Sequence, residues 1–360
     1  MGNLTVNLII EITSIYILKM KIIVTGSLGL VGMAACKRYL SQGHEVTGID
    51  CDARKEFFGE NGSTSHKEKE LCEIGSYKHN NIDIVNKDNV YSIFKKGFDV
   101  VIHCAAQPAH DWATLNTRRD FEINTLGTLN VLEAVRNINF QAPVIHVSTS
   151  KVYGDNPNKL PLSIINERLD LPENHELFNG IPETFSIDNC IHSFFGVSKS
   201  AGDLYAQEYG KHLGMKIGIF RPGCITGSDH QGVPLHGFLS YLTKCLKNNN
   251  NYTIIGYDGY QVRCNIHADD LVNAFNFFIQ NPRPGEVYNM GGRELSCSVR
   301  EAIINLEKLS GKKLNRKFDL KPRTGDHRWY ISDTFKFKNH YGWRPLKSLN
   351  DIYIELLEKA

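Results

Sequence analysis

The sequence predicts an α/β fold in which a doubly wound parallel sheet is followed by a smaller mixed α/β portion. As far as Arg221, short β-branched or apolar runs alternate with stretches of helical periodicity. After Arg221 the predicted strands become shorter and the regular alternation changes. Alternating strands and helices are typical of parallel βαβ units, whereas a change of pattern indicates a separate smaller unit. We therefore expect one large sheet flanked by helices, with a second unit after it.

The elements follow from local composition. Lys21–Thr25 is a β-branched run that ends at Gly26, and Leu30–Leu40 has helical spacing and stops at Gly43. A glycine just past a helix favours its termination because glycine readily adopts the left-handed conformation. Further strands are predicted at Glu45–Ile49, Val100–Cys104, Val144–Val147, Lys216–Phe220, Tyr252–Ile255 and Glu286–Asn289. Further helices are predicted at Ile123–Val135, Ser198–His212 and Ser298–Leu309.

Composition and charge exclude several classes of function. The chain of 360 residues has 41 basic and 39 acidic side chains spread along it, which disfavours a nucleic-acid or lipid-headgroup surface. Its nine cysteines are an odd number without a C-x-x-C pair, so a zinc ribbon or a disulfide framework is not expected. The histidines show no ligand spacing with Cys or Asp, so we expect no metal. A reducing cytoplasm is the expected location.

Two segments fall outside the regular pattern. Residues 4–18 are apolar but number only 15 and include Glu11, whereas a membrane-spanning helix needs about 20 apolar residues. We therefore expect no membrane span, and residues 1–19 are interpreted as an N-terminal extension outside the fold. Residues 155–192 form a long connection rich in Asn, Pro and Glu. Because such long connections are usually functional, we expect a wall or lid over a site.

A glycine-rich turn between the first strand and the first helix predicts a dinucleotide site. Small residues allow backbone N–H groups and a helix N-terminus to approach a pyrophosphate. The turn consists of Gly26, Ser27, Leu28, Gly29, Leu30, Val31 and Gly32. Asp50 ends the next strand, where a carboxylate accepts hydrogen bonds from ribose hydroxyls and repels a 2′-phosphate. This favours NAD over NADP, although a tight turn beside a surface aspartate remains the structural alternative.

The Gly-x-x-Gly-x-x-Gly spacing resembles that of the extended short-chain dehydrogenase/reductases, over nearly the whole chain from Met20. The resemblance implies a Rossmann-type sheet and assigns cofactor contacts to a set of matching positions. These are Asp83, Ile84, Cys104, Ala105, Ala106, Asn124, Ser148, Lys199 and Arg221. On the same match Thr149 is the catalytic hydroxyl. Arg263, Arg323, Gln107 and Tyr257 are the expected substrate residues, and the two arginines would clamp a diphosphate unless each is a structural ion pair.

The resemblance also implies a division into domains. Residues 20–220 would form the NAD-binding Rossmann domain, with residues 264–290 returning to it. Residues 221–360 would form the nucleotide-sugar-binding domain. Many members of this family pair through two helices, here beginning near Asn124 and Phe195, so a homodimer is expected by analogy.

Within the family the chain is most similar to the CDP-paratose (CDP-tyvelose) 2-epimerases. The similarity lies in Lys151 of the Ser148–Gly154 strand motif, in the segment from Gly180 to His192, and in Gln261–Arg263. Such enzymes oxidise a sugar carbon with bound NAD and reduce it again from the other face, as in polysaccharide biosynthesis. The resemblance thus implies an NAD-dependent nucleotide-sugar epimerase, with a CDP-sugar favoured. Ser150 and Lys151 stand where dehydratases of the family carry acidic residues, so dehydration is not supported.

One departure from the family concerns the Tyr-x-x-x-Lys pair of the active site, which here reads Phe195-x-x-x-Lys199. The lysine lowers the phenol's pKa so that the phenolate can take a hydroxyl proton, and phenylalanine cannot do so. Three interpretations remain open. The proton shuttle has moved, to Lys199 through Thr149, Lys151, His192 or Glu183. Alternatively, the protein binds NAD and nucleotide sugar with little catalysis, or Phe195 is an engineered block.

Overall fold

The computed structural model describes residues 19–234 and 236–359. The predicted N-terminal extension therefore lies outside the described residues, apart from Lys19. The described strands are Lys21–Thr25 (β1), Glu45–Ile49 (β2), Tyr77–Asn80 (β3), Val100–His103 (β4), Val144–Val147 (β5), Ser163–Ile165 (β6), Arg168–Asp170 (β7), Ile217–Pro222 (β8), Cys224–Thr226 (β9), Tyr252–Ile255 (β10), Val262–His267 (β11), Glu286–Met290 (β12), Ser296–Ser298 (β13) and Arg316–Asp319 (β14). The described α-helices are Leu30–Ser41 (α1), Arg54–Phe58 (α2), Lys67–Ile74 (α3), Lys87–Phe94 (α4), His110–Leu115 (α5), Thr117–Phe121 (α6), Thr128–Ile138 (α7), Ser193–Lys211 (α8), Phe238–Lys247 (α9), Ala268–Gln280 (α10), Val299–Ser310 (α11), Phe335–Tyr341 (α12) and Leu349–Lys359 (α13).

A seven-stranded sheet in the order β12-β8-β5-β4-β1-β2-β3 organises the fold. Every neighbouring pair of its strands is parallel. The chain first moves outward through β1, β2 and β3 and then restarts beside β1 with β4. This reversal is the topological switch point of a doubly wound sheet, where ligands bind beyond the carboxyl ends of the strands. The predicted fold class is confirmed.

Helices cover both faces of this sheet because its strands are apolar on both sides. On one face, residues of α1, α10 and α12 pack with the strands into one buried cluster that includes Tyr39, Phe275 and Phe337. On the other face, residues of α4, α7 and α8 form a second buried cluster that includes Phe94 and Val131. The site-bearing ends of the strands are thus held between two packed layers.

The smaller portion is built from two short sheets and three helices. β10 pairs with β14, and β11 lies between β9 and β13. Helices α9, α11 and α13 pack around these strands through a third buried cluster that includes Leu242, Ile303 and Tyr353. Ser298 caps α11 together with Glu301 in a capping box, as the sequence spacing indicates. The sequence between β11 and β12 returns to the large sheet, where β12 is the edge strand beside β8.

Three elements differ from the sequence predictions. β3 was not expected, because its sequence Tyr-Lys-His-Asn lacks the apolar run of a central strand and it lies at the sheet edge. Helix α8 starts at Ser193, five residues before the predicted start at Ser198. The predicted helix at Ile123–Val135 begins as a π-helical segment, Glu122–Gly127, before α7. Such widened turns are frequent at functional sites, and this one carries Asn124.

Candidate active site

A cavity of about 420 Å³ opens beyond the carboxyl ends of β1, β4 and β5. One end of it is formed by the turn from Gly26 to Gly32, and the other by Tyr252, Arg263 and Arg323. It therefore crosses the switch point of the large sheet and reaches the smaller portion. This position is the one that doubly wound folds use for ligands.

The glycine turn is shaped for close approach of backbone to a ligand. Gly26 has φ +68°, and a Cβ there would lie 2.7 Å from the Ala105 nitrogen. A Cβ at Gly32 would lie 2.0 Å from the carbonyl oxygen of Gly26, so only glycine fits at the start of α1. Gly29 is the N-cap of α1 and has no side chain to cap the helix. The first N–H groups of α1 therefore have no side-chain cap and would be able to bind an anion, so the cradle fits a pyrophosphate.

Asp50 lies beside this turn, at the end of β2. Its carboxylate accepts hydrogen bonds from the backbone N–H of Leu28, at 3.0 Å, and of Asp52, at 2.8 Å. Burial raises the pKa of this carboxyl group from its ordinary value, while the two N–H groups act against that rise. Asp50 also lines the cavity. It is thus placed where a ribose hydroxyl could donate to it, and the residues present fit a dinucleotide.

The segments that follow β3 and β4 also line the end of the cavity that is expected to bind the dinucleotide. Asp83 and Ile84 line the cavity, and Arg119 pairs with the Asp83 carboxylate at 2.5 Å. Cys104, Ala105 and Ala106 line it as well. Burial raises the pKa of the Cys104 thiol to about 12, so this cysteine is an inert wall residue.

The centre of the cavity contains Thr149, Phe195 and Lys199. The spacing of four residues puts Phe195 and Lys199 on one face of α8. Lys199 Nζ donates to the carbonyl oxygen of Val147 at 2.8 Å, and burial lowers the pKa of this lysine to about 8. The Thr149 hydroxyl accepts from the backbone N–H of Lys151 at 3.2 Å. The lysine and threonine of the family motif are brought together, with a phenyl ring in place of the phenol.

Lys151 forms an ionic cluster at the substrate end. Its Nζ donates to the Gly325 carbonyl oxygen at 3.0 Å and lies 3.6 Å from the Asp326 carboxylate. Arg263 pairs with the same carboxylate at 2.9 Å and donates to the His327 carbonyl oxygen. These cations hold the pKa of Asp326 well below its ordinary value, against the effect of burial. Burial, in turn, lowers the pKa of Lys151 to about 8. Lys151 is therefore not a solvated surface lysine, and Arg263 is both ion-paired and part of the cavity wall.

Asn124 and Gln107, predicted as cofactor and substrate contacts, are turned into the protein. Asn124 Nδ2 donates to the Gln107 carbonyl oxygen, to Asp120 and to Ser198, and its Oδ1 accepts from Gln107 N–H at 2.8 Å. The Gln107 amide nitrogen donates to the Ala109 carbonyl oxygen and to Asp120, both at 2.9 Å. Both side chains are buried. The structure gives them a positioning role in which they join the loop after β4 to α8.

Arg221 belongs to a second buried network. Its guanidinium makes two hydrogen bonds to Asp203, at 2.9 and 2.7 Å, and donates to the Tyr153 hydroxyl. Ser148 donates to the same carboxylate from the cavity side. Tyr153 continues the network to Asn289, whose backbone N–H donates to Glu183 at 2.7 Å. Arg221 and Glu183 are thus bonded within this network and are not among the residues that line the described cavity.

Four more predicted residues do not contribute side chains to the described cavity wall. His192 Nε2 is 2.8 Å from the Ile187 carbonyl oxygen, and Tyr257 lies 5.9 Å from the Arg328 guanidinium. Ser27 bonds to Tyr77 and Leu28 is buried in the core. The connection 155–192 also lines none of the described cavity. Its apolar residues pack instead on Trp329–Ile331, so the expected wall or lid is not formed by it.

His110 is a cavity residue that the sequence did not reveal. Its ring centroid lies 4.7 Å from that of Phe195. It belongs to none of the motifs that carry the family resemblance, so no sequence signal distinguished it from the other histidines. Only the contact between α5 and the start of α8 brings it beside the motif residues.

Among residues 19–234 and 236–359, no group of three or more His, Cys, Asp or Glu side chains is arranged to hold a metal ion. No helix in the described part of the chain has both the length and the apolar character to cross a membrane.

Comparison with known proteins gives a consistent result. CDP-paratose 2-epimerase from Salmonella typhi is 32% identical over 342 residues, which is 92% of this chain and 96% of that protein. A tyrosine-to-phenylalanine variant of UDP-glucuronic acid 4-epimerase from Bacillus cereus, solved with UDP-4-deoxy-4-fluoro-glucuronic acid and NAD, is 26% identical with a TM-score of 0.76. The match covers 94% of this chain and 98% of that one. UDP-glucose 4-epimerase from Thermotoga maritima, solved with UDP-glucose, shares the fold at 23% identity and a TM-score of 0.77, with the same coverage.

The family itself is identified by a match to residues 22–291. This span contains the glycine turn, Asp50, Thr149 and Lys199, that is, the dinucleotide end and the centre of the cavity. The resemblance predicted from the motifs is confirmed, and the cofactor of the family is NAD. The chain belongs to the NAD dependent epimerase/dehydratase family.

Proposed function

We propose that this protein is an NAD-dependent epimerase of nucleotide sugars, similar to CDP-paratose 2-epimerase, which transiently oxidises and re-reduces one sugar carbon. The observation that carries the proposal is the continuity of the cavity. The glycine turn, the Thr149 and Lys199 pair, and the arginines at the substrate end all line the same space. A sugar joined to a nucleoside diphosphate, laid along this cavity, would bring its ring to the centre and its diphosphate to Arg263 and Arg323.

Residues at different places along the cavity would have different roles in the reaction. NAD, when bound, supplies the acceptor and the donor of the hydride. Lys199 holds its ammonium at the end of β5, where it would bind the nicotinamide ribose. Thr149 offers a hydroxyl to the sugar oxygen. Arg263 and Arg323 would meet the diphosphate, since a guanidinium matches phosphate oxygens and stays charged.

Epimerisation is favoured over elimination by the side chains beside Thr149. Ser150 and Lys151 carry no carboxyl group, and Asp326 is bound to two cations. Elimination of water needs an acid and a base at neighbouring carbons. The cytidine preference rests on the similarity to CDP-paratose 2-epimerase over 92% of the chain. A CDP-sugar is therefore the first substrate class to test.

A second candidate function follows from Phe195. Without a phenol, the protein could bind NAD and a nucleotide sugar and have little catalytic activity. The Bacillus cereus relative was solved as a tyrosine-to-phenylalanine variant with a nucleotide sugar and NAD bound. Absorbance of reduced nicotinamide that appears and decays after mixing with a CDP-sugar would exclude the pure binding function.

The decisive experiment incubates the purified protein with CDP-paratose and with CDP-, UDP-, GDP- and dTDP-hexoses. Proton NMR would report inversion at a sugar carbon, and mass spectrometry would identify the copurified cofactor. Turnover of a CDP-sugar with bound NAD is the expected result. Inversion of a UDP-, GDP- or dTDP-sugar alone would contradict the cytidine preference. Binding without turnover across the panel would favour the second function.

We further propose a homodimer that works in the cytoplasm. Helix α8 exposes Phe194, Val197, Leu204 and Tyr205 at spacings of one helix face. The neighbouring π-helical segment exposes Leu126 beside them. Two such faces from two copies would bury each other. The nine cysteines are all unpaired thiols, which fits a reducing compartment.

A further inference from the structure

His110 lies next to Phe195, the residue at the position of the family tyrosine. It is the first residue of α5, where its backbone follows the loop after β4, and its ring contacts Phe195 at a centroid distance of 4.7 Å and an interplanar angle of 58°. Its Nδ1 lies 3.0 Å from the Ser193 hydroxyl, at the start of α8. Thr149, Lys151 and Lys199 line the same cavity. The imidazole is therefore an ionisable group at the centre of the site.

We propose that His110 is the catalytic residue that exchanges the proton of the reacting sugar hydroxyl, in place of the family tyrosine. The proposal rests on the proposed epimerase function. As the sugar carbon gives its hydride to NAD, the hydroxyl proton passes to His110 Nε2 and the C–O bond becomes a carbonyl. When the hydride returns to the other face of that carbon, the imidazolium gives its proton back to the oxygen. Cofactor and imidazole both end the cycle as they began it.

Ser193 holds the ring at one nitrogen, and the proposed role uses the tautomer in which that nitrogen carries the proton. Its hydroxyl oxygen already accepts from the Gly196 N–H at 3.3 Å, and Ser193 has φ +62° at the start of the helix. With a proton on Nδ1 bonded to Ser193, the lone pair of the imidazole is on Nε2. A histidine held through one nitrogen and acting through the other is the usual arrangement of a general base.

The other polar groups at the centre are less suited to accept a proton. Lys199 and Lys151 have pKa values near 8, so at neutral pH both are mainly ammonium groups that donate to carbonyl oxygens. Asp326 is an anion whose pKa is held low by Lys151 and Arg263. The Thr149 hydroxyl does not titrate in the relevant range. The Asp326 carboxylate is already paired with Lys151 and Arg263, whereas a neutral imidazole has a ring nitrogen that can accept a proton.

The surrounding charges make the protonation of His110 depend on substrate. In the free site, burial lowers the pKa of His110 to about 3, and nearby cations contribute to this shift. The titratable and charged groups facing it are Lys151, Arg323, Asp326, Arg263 and His236. The diphosphate of a nucleotide sugar would offset the positive charge of the arginines and the lysine, and so raise the pKa of the ring. His110 would then be neutral before binding and able to take up a proton in the complex.

The test compares His110→Gln with His212→Gln, a control at an exposed histidine after α8. With CDP-paratose as substrate, His110→Gln should lower kcat by about 10²–10⁴-fold with little change in KM, while the control keeps both values. Calorimetric titration with CDP, in buffers of different ionisation enthalpy at mildly acidic pH, gives a readout independent of turnover. Wild type should take up a fraction of a proton on binding, and His110→Gln should not.

A second variant separates a catalytic from a structural role. Adding Phe195→Tyr to His110→Gln restores a phenol beside Lys199, so turnover should recover by at least about tenfold over His110→Gln alone. An unchanged kcat in His110→Gln, or proton uptake that persists in this variant, would overturn the proposed role of His110. The proposed epimerase function would still stand. Absence of turnover in wild type with every nucleotide sugar would overturn the proposed function, and this role with it.

Discussion

The ammonium of Lys199 donates to the carbonyl oxygen of Val147 at 2.8 Å, which ties helix α8 to the end of β5 beside Thr149. This contact holds the cation at the point where the resemblance expects the nicotinamide ribose. It also places a buried charge in the centre of the site, and the cost of burying this charge can be measured as a pH dependence of stability.

The first prediction concerns the pH dependence of stability. Burial lowers the Lys199 pKa from 10.5 to about 8, so the folded protein binds its proton less tightly than the unfolded chain. Between these values the unfolded state binds more protons, and stability rises with pH. Below pH 8 the lysine is protonated in both the folded and the unfolded state, so the cost of burying its charge lowers the free energy of unfolding by the full amount. Relative to Lys199→Met, the wild type should therefore gain up to about 3 kcal/mol in free energy of unfolding across this window.

Urea unfolding of wild type and Lys199→Met at several pH values checks this prediction. Lys211→Met, at an exposed lysine of the same helix, is the matched control and should show no such trend. A constant difference between wild type and Lys199→Met across the alkaline range would show that the lysine is not buried as described.

The second prediction concerns the buried pair of Asp203 and Arg221, whose side chains are 1% and 4% exposed. Asp203→Asn leaves the guanidinium without its charged partner and weakens the bond from Ser148. We expect a loss of about 3–5 kcal/mol in the free energy of unfolding. Glu122→Gln, which removes the exposed pair with Arg118, should cost less than about 0.5 kcal/mol. Equal losses in both variants would refute the network.

The third prediction concerns cofactor choice. Asp50→Asn removes the negative charge that would repel a 2′-phosphate, so the variant should bind NAD about tenfold more weakly and lose most of its preference over NADP. Asp52→Asn is the control, because Asp52 turns its carboxylate to Ser63 and Thr64. Fluorescence titration with both cofactors measures the ratio. An unaltered NAD preference in Asp50→Asn would exclude the ribose contact.

The fourth prediction concerns assembly. Leu204→Glu puts a charge on the exposed face of α8 and should convert the expected dimer to a monomer in sedimentation velocity. Ile304→Glu changes an equally exposed apolar residue on α11 and should leave the mass unchanged. A wild-type protein that sediments as a monomer would rule out this dimer.

The sequence alone predicts an element correctly where a single physical requirement acts on a short segment. Lys21–Thr25 and Glu45–Ile49 are buried parallel strands, so their composition alone predicts them, and their bounds agree with the structure. The glycine turn is likewise local, because the clash at Gly32 lies within the turn itself. Tyr77–Asn80 lacks this signal, since an edge strand need not be apolar.

The site was less predictable because its residues meet only through tertiary contacts. His192 and Glu183 lie in segments close to the motif in sequence, yet their side chains bond to Ile187 and Asn289. His110 is far from Phe195 in sequence but touches it, through the packing of α5 on α8. The spacing of residues along the chain does not encode which loop turns inward at the end of a strand.

The narrow clearance between Gly26 and Ala105 has a practical consequence for protein engineering. The two loops are so close that a Cβ at Gly26 would collide with the backbone of Ala105. Neither loop can therefore be exchanged alone for the equivalent loop of a relative whose backbone follows a different path. A chimaera that aims to alter coenzyme choice must carry residues 26–32 and 104–106 across together as one unit.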